Sequence, residues 1–273
     1  MNKSPIAVGG VGGSGTRVIA KILQNCDVFI GSDLPLSLDT VWYAALFGRR
    51  DVFLDDPEDL RALTNLFFRQ MATPTALTPA ELEQLHTLEH PTRIQHSPEI
   101  LQTWMESFIH HCATGRPAPR WGWKVPYTHV LIDQLLEWHP DLKYIHITRN
   151  GLDMAYSQNQ NQLKKWGPVF LNRDVTANPH DSLKFWCLAQ KRVARIATRY
   201  PDRIYQLDFD RLVRNPAPEI DLLTQFMQVD LPSTHRAEFC SWITPPDSIG
   251  RYKNQDISVL DPQDVAFAMQ SHT

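Results

Sequence analysis

Short apolar runs alternate with amphipathic stretches along most of this chain. The run from Ile6 to Val8 and the run from Lys143 to Thr148 are the clearest buried strands, because turn residues bound them and both are too short for helices. Further strands are predicted at 28–30, 121–125 and 203–209. Helical periodicity fills the intervals between them. Strands that alternate with helices predict the α/β class, with a doubly wound parallel sheet.

One long stretch, 35–115, shows helical patterns only. Helices are predicted at 35–47, 57–71 and 98–112, and Thr78 with Glu81 forms a capping box that opens another. Because this stretch lies between two predicted strands, we expect a helical insertion or lid on the α/β core. We expect residues 1–273 to form a single domain that contains it.

The second half of the chain predicts further helices and one loop. A helix is expected to begin at Gly151 and run to about residue 162. Other helices are predicted at 128–138, 181–200, 218–229 and 233–242. Gly167, Pro168 and Pro179 interrupt the stretch 163–179, which has few periodic apolar positions, so a mobile loop is predicted there.

Composition and charge narrow the class of protein. The net charge of −3 provides no overall basic field, so we expect no nucleic-acid partner and only a local anion site. The four cysteines form no C-x-x-C pair, which favours reduced thiols and a cytoplasmic location. No apolar run is long enough to span a membrane. The chain also enters its first strand at once, which leaves no room for a signal peptide.

The stretch after the first strand carries the strongest chemical signal. Five glycines occur between Gly9 and Gly15, and a helix follows them. Glycines allow a tight turn that brings backbone N–H groups close to a phosphate, and the start of the helix adds free donors. The candidate anion-binding residues are Gly12, Gly13, Ser14, Gly15, Thr16 and Arg17.

This loop departs from two common nucleotide-binding motifs. The spacing of Gly10 and Gly15 fits a Walker A loop, but Thr16 and Arg17 stand where Lys and then Ser or Thr are required. The glycines also fit G-x-G-x-x-G, with Asp33 or Asp39 as the acidic residue about 20 positions on. On this stretch alone, a dehydrogenase stays open.

Two further strand ends carry cations. Lys124 lies near the end of the tryptophan-containing strand, and Arg149 follows the strand at 143–148. Ser157 lies two turns into the helix after Arg149. Because ligands of open α/β sheets bind beyond the carboxyl ends of the strands, these groups predict a ligand with two separated anionic groups.

Five motifs in this order carry a resemblance to a known family. They are Ser14-Gly15-Thr16, Trp121-Gly122-Trp123-Lys124-Val125-Pro126, Arg149-Asn150 with Ser157 eight residues after the arginine, Asp208 to Pro216, and Gly250-Arg251-Tyr252-Lys253. With them the chain resembles the sulfotransferases that use 3′-phosphoadenosine-5′-phosphosulfate (PAPS). It looks more similar to the bacterial and tyrosylprotein-type members than to the cytosolic phenol-type members. The stretch 35–115 is outside the resemblance.

The resemblance implies a fold, a reaction and roles for named residues. It implies a P-loop fold and in-line transfer of a sulfuryl group from PAPS to an acceptor hydroxyl, with 3′,5′-adenosine bisphosphate as product and no metal. The Ser14 loop would hold the 5′-phosphosulfate, Arg149 and Ser157 the 3′-phosphate, and Arg251 with Lys253 would close over the nucleotide. The family's usual cation before Ser-Gly-Thr is Gly13 here, and Arg17 or Lys124 is expected to supply that charge.

The catalytic groups are expected at the loop. Lys124, with Ser14 and the loop N–H groups, suits charge on the leaving oxygen. Asp33 corresponds to the acidic base of tyrosylprotein-type members, with Asp39 and His129 in reserve, and capping of a helix that begins near Pro35 is its alternative role. The acceptor is expected to bind beside 35–115 and 163–179.

Two other function classes stay open at this point. A small P-loop kinase would need a magnesium ligand, for which Asp208 is the only candidate on a strand. A non-catalytic nucleotide-binding module would keep the same loop without a base.

Overall fold

The computed structural model describes residues 4–88, 93 and 95–270. In this part of the chain the core is a sheet of four parallel strands in the order β2-β1-β3-β4. The strands are β1 (Ile6–Gly10), β2 (Gly122–Lys124), β3 (Lys143–Thr148) and β4 (Ile204–Asp208). Ile6 pairs with Gly122 on one side and with Lys143 on the other, which makes β1 a central strand. The predicted doubly wound parallel sheet is confirmed.

Helices occupy both faces of this sheet. They are α1 (Thr16–Asn25), α2 (Val41–Phe47), α3 (Pro57–Ala72), α4 (Pro79–Thr87), α5 (Pro98–Thr114), α6 (Ile132–Trp138), α7 (Gly151–Ala155), α8 (Asn161–Leu171), α9 (Pro179–Arg199), α10 (Phe209–Arg214), α11 (Pro216–Met227), α12 (Ser233–Trp242) and α13 (Pro262–Gln270). The predicted capping box is present at the start of α4, where Thr78 and Glu81 bond each other's backbone N–H groups.

Successive residues of β1 face opposite sides of the sheet and pack into two separate hydrophobic cores. Ile6 and Val8 face a cluster formed with α1, α10, α11 and α12, whereas Ala7 faces a second cluster that contains residues of α2 to α9 and α13. The helices of 35–115 belong to this second cluster. Within it Tyr43 of α2 stacks on Trp123 of β2, with 5.5 Å between ring centroids.

The strand predicted at 28–30 is wrong. Phe29 makes one isolated bridge with Trp121, and the pairing does not extend to its neighbours in the chain. Its N–H donates to the Arg120 carbonyl, and its own carbonyl accepts from Gly122. Asp27 and Gly31 on either side have φ of 56° and 106°, so the backbone turns away before a second pair can form.

The helix predicted at 35–47 begins six residues later, at Val41. The preceding residues are held by Lys124 at the end of β2. The Lys124 ammonium donates to the Ser37 carbonyl at 2.7 Å, and the Thr40 hydroxyl accepts from the Lys124 N–H at 3.0 Å. Leu38 between them has φ of 58°, outside helical geometry. The bonds to β2 outweigh the helical periodicity of this segment.

Helix α7 ends at Ala155, although the prediction extended it to about residue 162. The Gln160 side chain donates to the Ser157 carbonyl at 2.6 Å, and the Ser157 hydroxyl accepts from the Asn159 N–H at 3.2 Å. Side chains that bond nearby backbone in this way compete with a continuing helix. The single helix predicted at 128–138 is similarly divided into a 3₁₀ turn at Pro126–Val130 and α6.

The loop predicted at 163–179 is also wrong over its first half, which is helix α8 with Pro168 inside it. Proline removes the hydrogen bond to the carbonyl four residues earlier. That carbonyl, of Lys164, accepts from Arg50 Nη2 at 2.5 Å, and the Lys165 carbonyl accepts from Arg50 Nε at 2.6 Å. A side chain 114 residues away thus replaces the bond that the proline removes.

No helix in the described ranges is long and apolar enough to cross a membrane.

Candidate active site

The glycine loop between β1 and α1 has a backbone that requires glycine at two positions. Gly13 and Gly15 have φ of 90° and 95°. A Cβ on Gly15 would lie 2.2 Å from the Phe209 ring, so no larger residue fits there. No side chain caps the start of α1, and its first turn carries no acidic residue. The loop therefore leaves the donors at this helix start free for an anion.

Ser14 has the feature expected of a ligand-binding hydroxyl. The residue is 1% exposed, and its Oγ has no hydrogen-bond partner among the residues that the structure describes. Buried hydroxyls are nearly always bonded, so this one is available to a ligand or a water molecule at the loop. Loop N–H groups, a helix start and this hydroxyl together fit a phosphate or phosphosulfate.

A cavity of about 630 Å³ opens beside this loop. Its lining comes from the loop and α1, from 35–44, from 95–104, from the end of β2, and from the link between α7 and α8. The lining residues are Gly12, Gly13, Gly15, Thr16, Arg17, Val18, Pro35, Ser37, Asp39, Val41, Ala44, Gln95, His96, Trp104, Lys124, Val125, Pro126, Tyr127, Asn159, Asn161 and Gln162. No described residue of 163–179 lines it.

Lys124 lies at the carboxyl end of β2 and is 2% exposed. Besides its bond to the Ser37 carbonyl, its ammonium donates to Asp39 Oδ1 at 2.7 Å. Burial lowers the pKa of Lys124, Asp39 opposes that shift, and the nearby Arg17 adds to it. A buried ammonium beside the glycine loop can stabilise negative charge that develops there.

The three candidate bases lie in different surroundings. Asp39 lines the cavity and pairs with Lys124. Asp33 is exposed and accepts a 2.6 Å hydrogen bond from the Ser107 hydroxyl, and no helix begins near Pro35 for it to cap. His129 is fully buried, and burial together with His146 lowers its pKa to about 3.

Arg149 lies on the other side of the glycine loop, at the carboxyl end of β3. Its Nη1 donates to the Gly13 carbonyl at 3.2 Å and its Nη2 to the Ser248 hydroxyl at 2.6 Å, while Nε has no partner among the described residues. Burial lowers the pKa of Arg149, and Asp210 partly offsets this. A Cβ placed on Gly13 would be 4.0 Å from Ser157 Oγ, so this hydroxyl lies beside the same loop.

Arg251 and Lys253 belong to a 3₁₀ turn, Arg251–Asn254, that one carboxylate attaches to α7. Asp153 is 1% exposed, and it accepts from the Gly250 N–H at 2.7 Å and from the Tyr252 N–H at 3.2 Å. Arg251 in turn donates to the Ser248 carbonyl at 3.1 Å. The turn is thereby held near Arg149, which also bonds Ser248.

Three residues of this site carry no signal in the sequence. Asp153 looks like an ordinary first-turn helix residue, and Ser248 lies in no motif. Gln162 lies in a polar run, yet its Nε2 donates to the Gly10 carbonyl at 3.0 Å and its Oε1 contacts His129 Nε2 at 3.0 Å. Each acts through a contact with a residue far away in the sequence, which no local pattern encodes.

A comparison with models of known protein families gives one match. The model described as "Sulfotransferase family" matches residues 5–233. No curated protein sequence matches the chain.

Several solved structures resemble the chain at low identity. A sulfotransferase from Mycobacterium tuberculosis has a TM-score of 0.47 at 15% identity and is matched over 98% of this chain and 77% of its own. The sulfotransferase domain of the Synechococcus olefin synthase has a TM-score of 0.49 at 12% identity, over 98% and 95%. A sulfotransferase from Mycobacterium avium has a TM-score of 0.44 at 17% identity, over 94% and 70%.

Proposed function

This chain belongs to the sulfotransferase family and is an enzyme of that type, and we propose that its sulfuryl donor is PAPS and its acceptor a hydroxyl compound. PAPS supplies an activated sulfuryl group when it is bound. The residues of this chain would bind the nucleotide, align the acceptor, accept its proton and stabilise charge on the leaving oxygen.

One observation supports this proposal most strongly. The strand order β2-β1-β3 places the glycine loop of β1 between Lys124 at the end of β2 and Arg149 at the end of β3. A ligand on the loop would therefore meet a cation on each side. PAPS has two separated anionic groups, the 5′-phosphosulfate and the 3′-phosphate, and these match the two positions.

The proposed roles follow from this division. Gly12, Gly13, Ser14, Gly15, Thr16 and Arg17 would hold the phosphosulfate, and Lys124 would stabilise its leaving oxygen. Arg149 and Ser157 would hold the 3′-phosphate, and Arg251 with Lys253 would cover the nucleotide. The unpartnered Ser14 Oγ and Arg149 Nε give each half of the site a buried donor with no partner in the described chain.

For the base we propose Asp39. Its carboxylate lines the cavity beside Lys124. Asp33 is not among the lining residues, and its carboxylate accepts a hydrogen bond from Ser107. A base must come within hydrogen-bond reach of the acceptor hydroxyl. Its position is therefore the first requirement, and its pKa is the second. Asp33, the base expected from the sequence, is kept as the alternative that mutation must test.

The acceptor side of the cavity is proposed to come from 35–115, as one part of a single domain over residues 1–273. This stretch supplies Pro35, Ser37, Asp39, Val41, Ala44, Gln95, His96 and Trp104 to the lining. We also propose a cytoplasmic location, in keeping with four cysteines that are all free thiols.

The test is a calorimetric titration with 3′,5′-adenosine bisphosphate, beside magnesium-ATP, on wild type, Arg149→Ala and Arg116→Ala. The bisphosphate should bind in preference to magnesium-ATP. Arg149→Ala should weaken it by about 10- to 100-fold, since hydrogen bonds to charged groups contribute ~1.5–3 kcal/mol. Arg116 is exposed and outside the cavity lining, so Arg116→Ala should change nothing. A preference for magnesium-ATP that is indifferent to Arg149 would refute the proposed donor.

A further inference from the structure

Three basic side chains lie together near the acceptor part of the cavity: Arg50, Arg93 and Lys165, here called the basic cluster. Arg93 donates to the carbonyls of Ala44 and Ala45 at 2.7 and 2.6 Å. Arg50 donates to the two carbonyls of α8 described above. These two arginines thus have structural partners at helix carbonyls, and the third cation does not.

Lys165 is 2% exposed, and its ammonium has neither a hydrogen bond nor an ion pair with any described residue. Burial, together with Arg93 and Arg50, lowers the pKa of Lys165 to about 7. An unpaired buried cation is costly, and such groups concentrate at functional sites. An anion bound nearby would supply a partner for this ammonium.

Tyr127 connects this ammonium to the cavity. Tyr127 is one of the lining residues, and Lys165 Nζ lies 4.5 Å from its ring centroid. The Tyr127 hydroxyl is buried and also has no partner among the described residues. Both polar atoms converge on Gly48, where a Cβ would lie 2.5 Å from Tyr127 Oη and 3.2 Å from Lys165 Nζ. A buried hydroxyl and a buried ammonium, neither with a hydrogen-bond partner among the described residues, are thus close together behind one wall of the cavity.

The charges around this wall are unbalanced. Asp39 is the only carboxylate among the described lining residues, and it is paired with Lys124. The carboxylates of Asp51 and Asp55 pair with Arg49. The positive field also reaches His96 in the lining, where burial, Lys165 and Arg93 lower the pKa to about 4. The charges of the described residues at this end of the cavity favour a negative group.

We propose that the acceptor carries an anionic group, such as a carboxylate, that reaches the Tyr127 hydroxyl and Lys165 when the Tyr127 side chain turns aside, while the acceptor hydroxyl faces Asp39 and Lys124. This inference rests on the proposed function and specifies its acceptor class. Tyr127 would donate to the anion, and Lys165 would balance its charge. Neutral hydroxyl compounds would then be poorer acceptors than acidic ones of the same shape.

The experiment compares two probes of nearly equal shape, benzoate and benzamide. Their dissociation constants are measured at fixed ionic strength with and without saturating 3′,5′-adenosine bisphosphate. The bisphosphate fills the anion site at the glycine loop, so that benzoate cannot bind there. The proteins are wild type, Lys165→Met, Tyr127→Phe and, as a surface control, Lys164→Met.

Wild type and Lys164→Met should bind benzoate at least about 10-fold more tightly than benzamide with the bisphosphate bound. This preference should fall below about twofold in Lys165→Met, and Tyr127→Phe should weaken benzoate alone. The bisphosphate affinity should stay unchanged in all four proteins. Because methionine replaces an unpaired buried cation with a side chain of similar volume, Lys165→Met should fold at least as stably as wild type.

Equal binding of the two probes, no benzoate binding, or a preference that persists in Lys165→Met would each overturn the inference. A failure of bisphosphate binding would instead refute the proposed donor. The probe comparison without bisphosphate still decides the role of Lys165 in that case.

Discussion

At the scale of single residues, Lys124 has the most direct expected effect on turnover. Its ammonium is the buried cation beside the glycine loop, where charge on the leaving oxygen would develop. Lys124→Met should lower kcat by ~10²–10³, the usual effect of removing one such donor. Bisphosphate affinity should change much less, because Arg149 and the loop remain. Steady-state kinetics with calorimetry check both, and Lys164→Met is the exposed control; an unchanged kcat would remove Lys124 from catalysis.

The proposed base, Asp39, and the base that the sequence favoured, Asp33, lie six positions apart and can be tested separately. Asp39→Asn should reduce turnover by ~10²–10⁴ with nucleotide affinity nearly intact, as expected when a general base is lost. Asp33→Asn should stay within a factor of two of wild type, since Asp33 contacts Ser107 outside the cavity lining. Single-turnover assays of both variants measure these rates. If Asp33→Asn lost activity and Asp39→Asn kept it, Asp33 would be the base.

The sequence predicted the positions of three candidate residues relative to the strands. Lys124 ends β2, Arg149 directly follows β3 and Ser14 lies in the loop after β1, so the three lie around that loop, and their roles stay predictions. The two aspartates were harder to separate because 31–40 is irregular, with left-handed backbone at Asp33 and Leu38. Counting positions from the loop serine cannot resolve which side chain such a segment turns toward the cavity.

At the scale of secondary-structure elements, helix α8 depends on a remote arginine. Arg50→Met should lower the free energy of unfolding by about 1–2 kcal/mol, because carbonyls of Lys164 and Lys165 lose a charged donor. In a Pro168→Ala background the same change should cost less, because the substituted alanine can supply the N–H that proline lacks. Urea unfolding of the four proteins in this double-mutant cycle measures the coupling. Strict additivity would show that Arg50 does not compensate for the proline.

The turn Arg251–Asn254 gives a second prediction at this scale. Asp153→Asn should weaken bisphosphate binding by about 10-fold, since an amide accepts less strongly from the N–H groups of Gly250 and Tyr252 and the turn would be less well held. Tyr156→Phe removes another link to the same segment, a 2.7 Å bond to the Asp256 carbonyl, and should have a smaller effect. Calorimetry compares the two variants, and wild-type affinity in Asp153→Asn would contradict this role for the turn.

Element prediction succeeded where packing and local pattern agree, as in α3, α4 and β3. It failed at 35–40, 156–160 and 163–171. In each case the decisive bonds come from polar side chains, such as Lys124 on Ser37, Gln160 on Ser157 and Arg50 on α8. Helical periodicity registers apolar burial and does not register these hydrogen bonds.

At the scale of the whole molecule, buried histidines predict the response of stability to acid. Burial lowers the pKa of His129 to about 3 and of His146 to about 4, below the value near 6.5 of an unfolded chain. The unfolded state therefore binds more protons between these values, and stability falls as pH falls below about 6.5.

Each of these two histidines should cost roughly 2 kcal/mol of stability between pH 7 and pH 5, at ~1.4 kcal/mol per pH unit. Urea unfolding at both pH values measures the loss. In His146→Gln the loss should be clearly smaller, because one of the protonation sites has gone. Equal stability of wild type at pH 5 and pH 7 would contradict the prediction.

The overall architecture was the part that the sequence predicted best, because strands that alternate with helices allow few arrangements. The strand order within the sheet was harder, since parallel neighbours lie far apart in the chain. At the sheet edge the prediction of a strand failed, because the apolar run around Phe29 forms only a single bridge.

The position of β1 also has a consequence for the order of events on the ribosome. The strand partners of Ile6, which are Gly122 and Lys143, follow it in the chain by more than a hundred residues. At a synthesis rate of ~5–20 residues per second, the nascent glycine loop waits on the order of ten seconds for a neighbouring strand. During that interval the apolar strand is available to chaperones. The proposed nucleotide site is therefore completed late, only after the strands that flank the glycine loop have emerged.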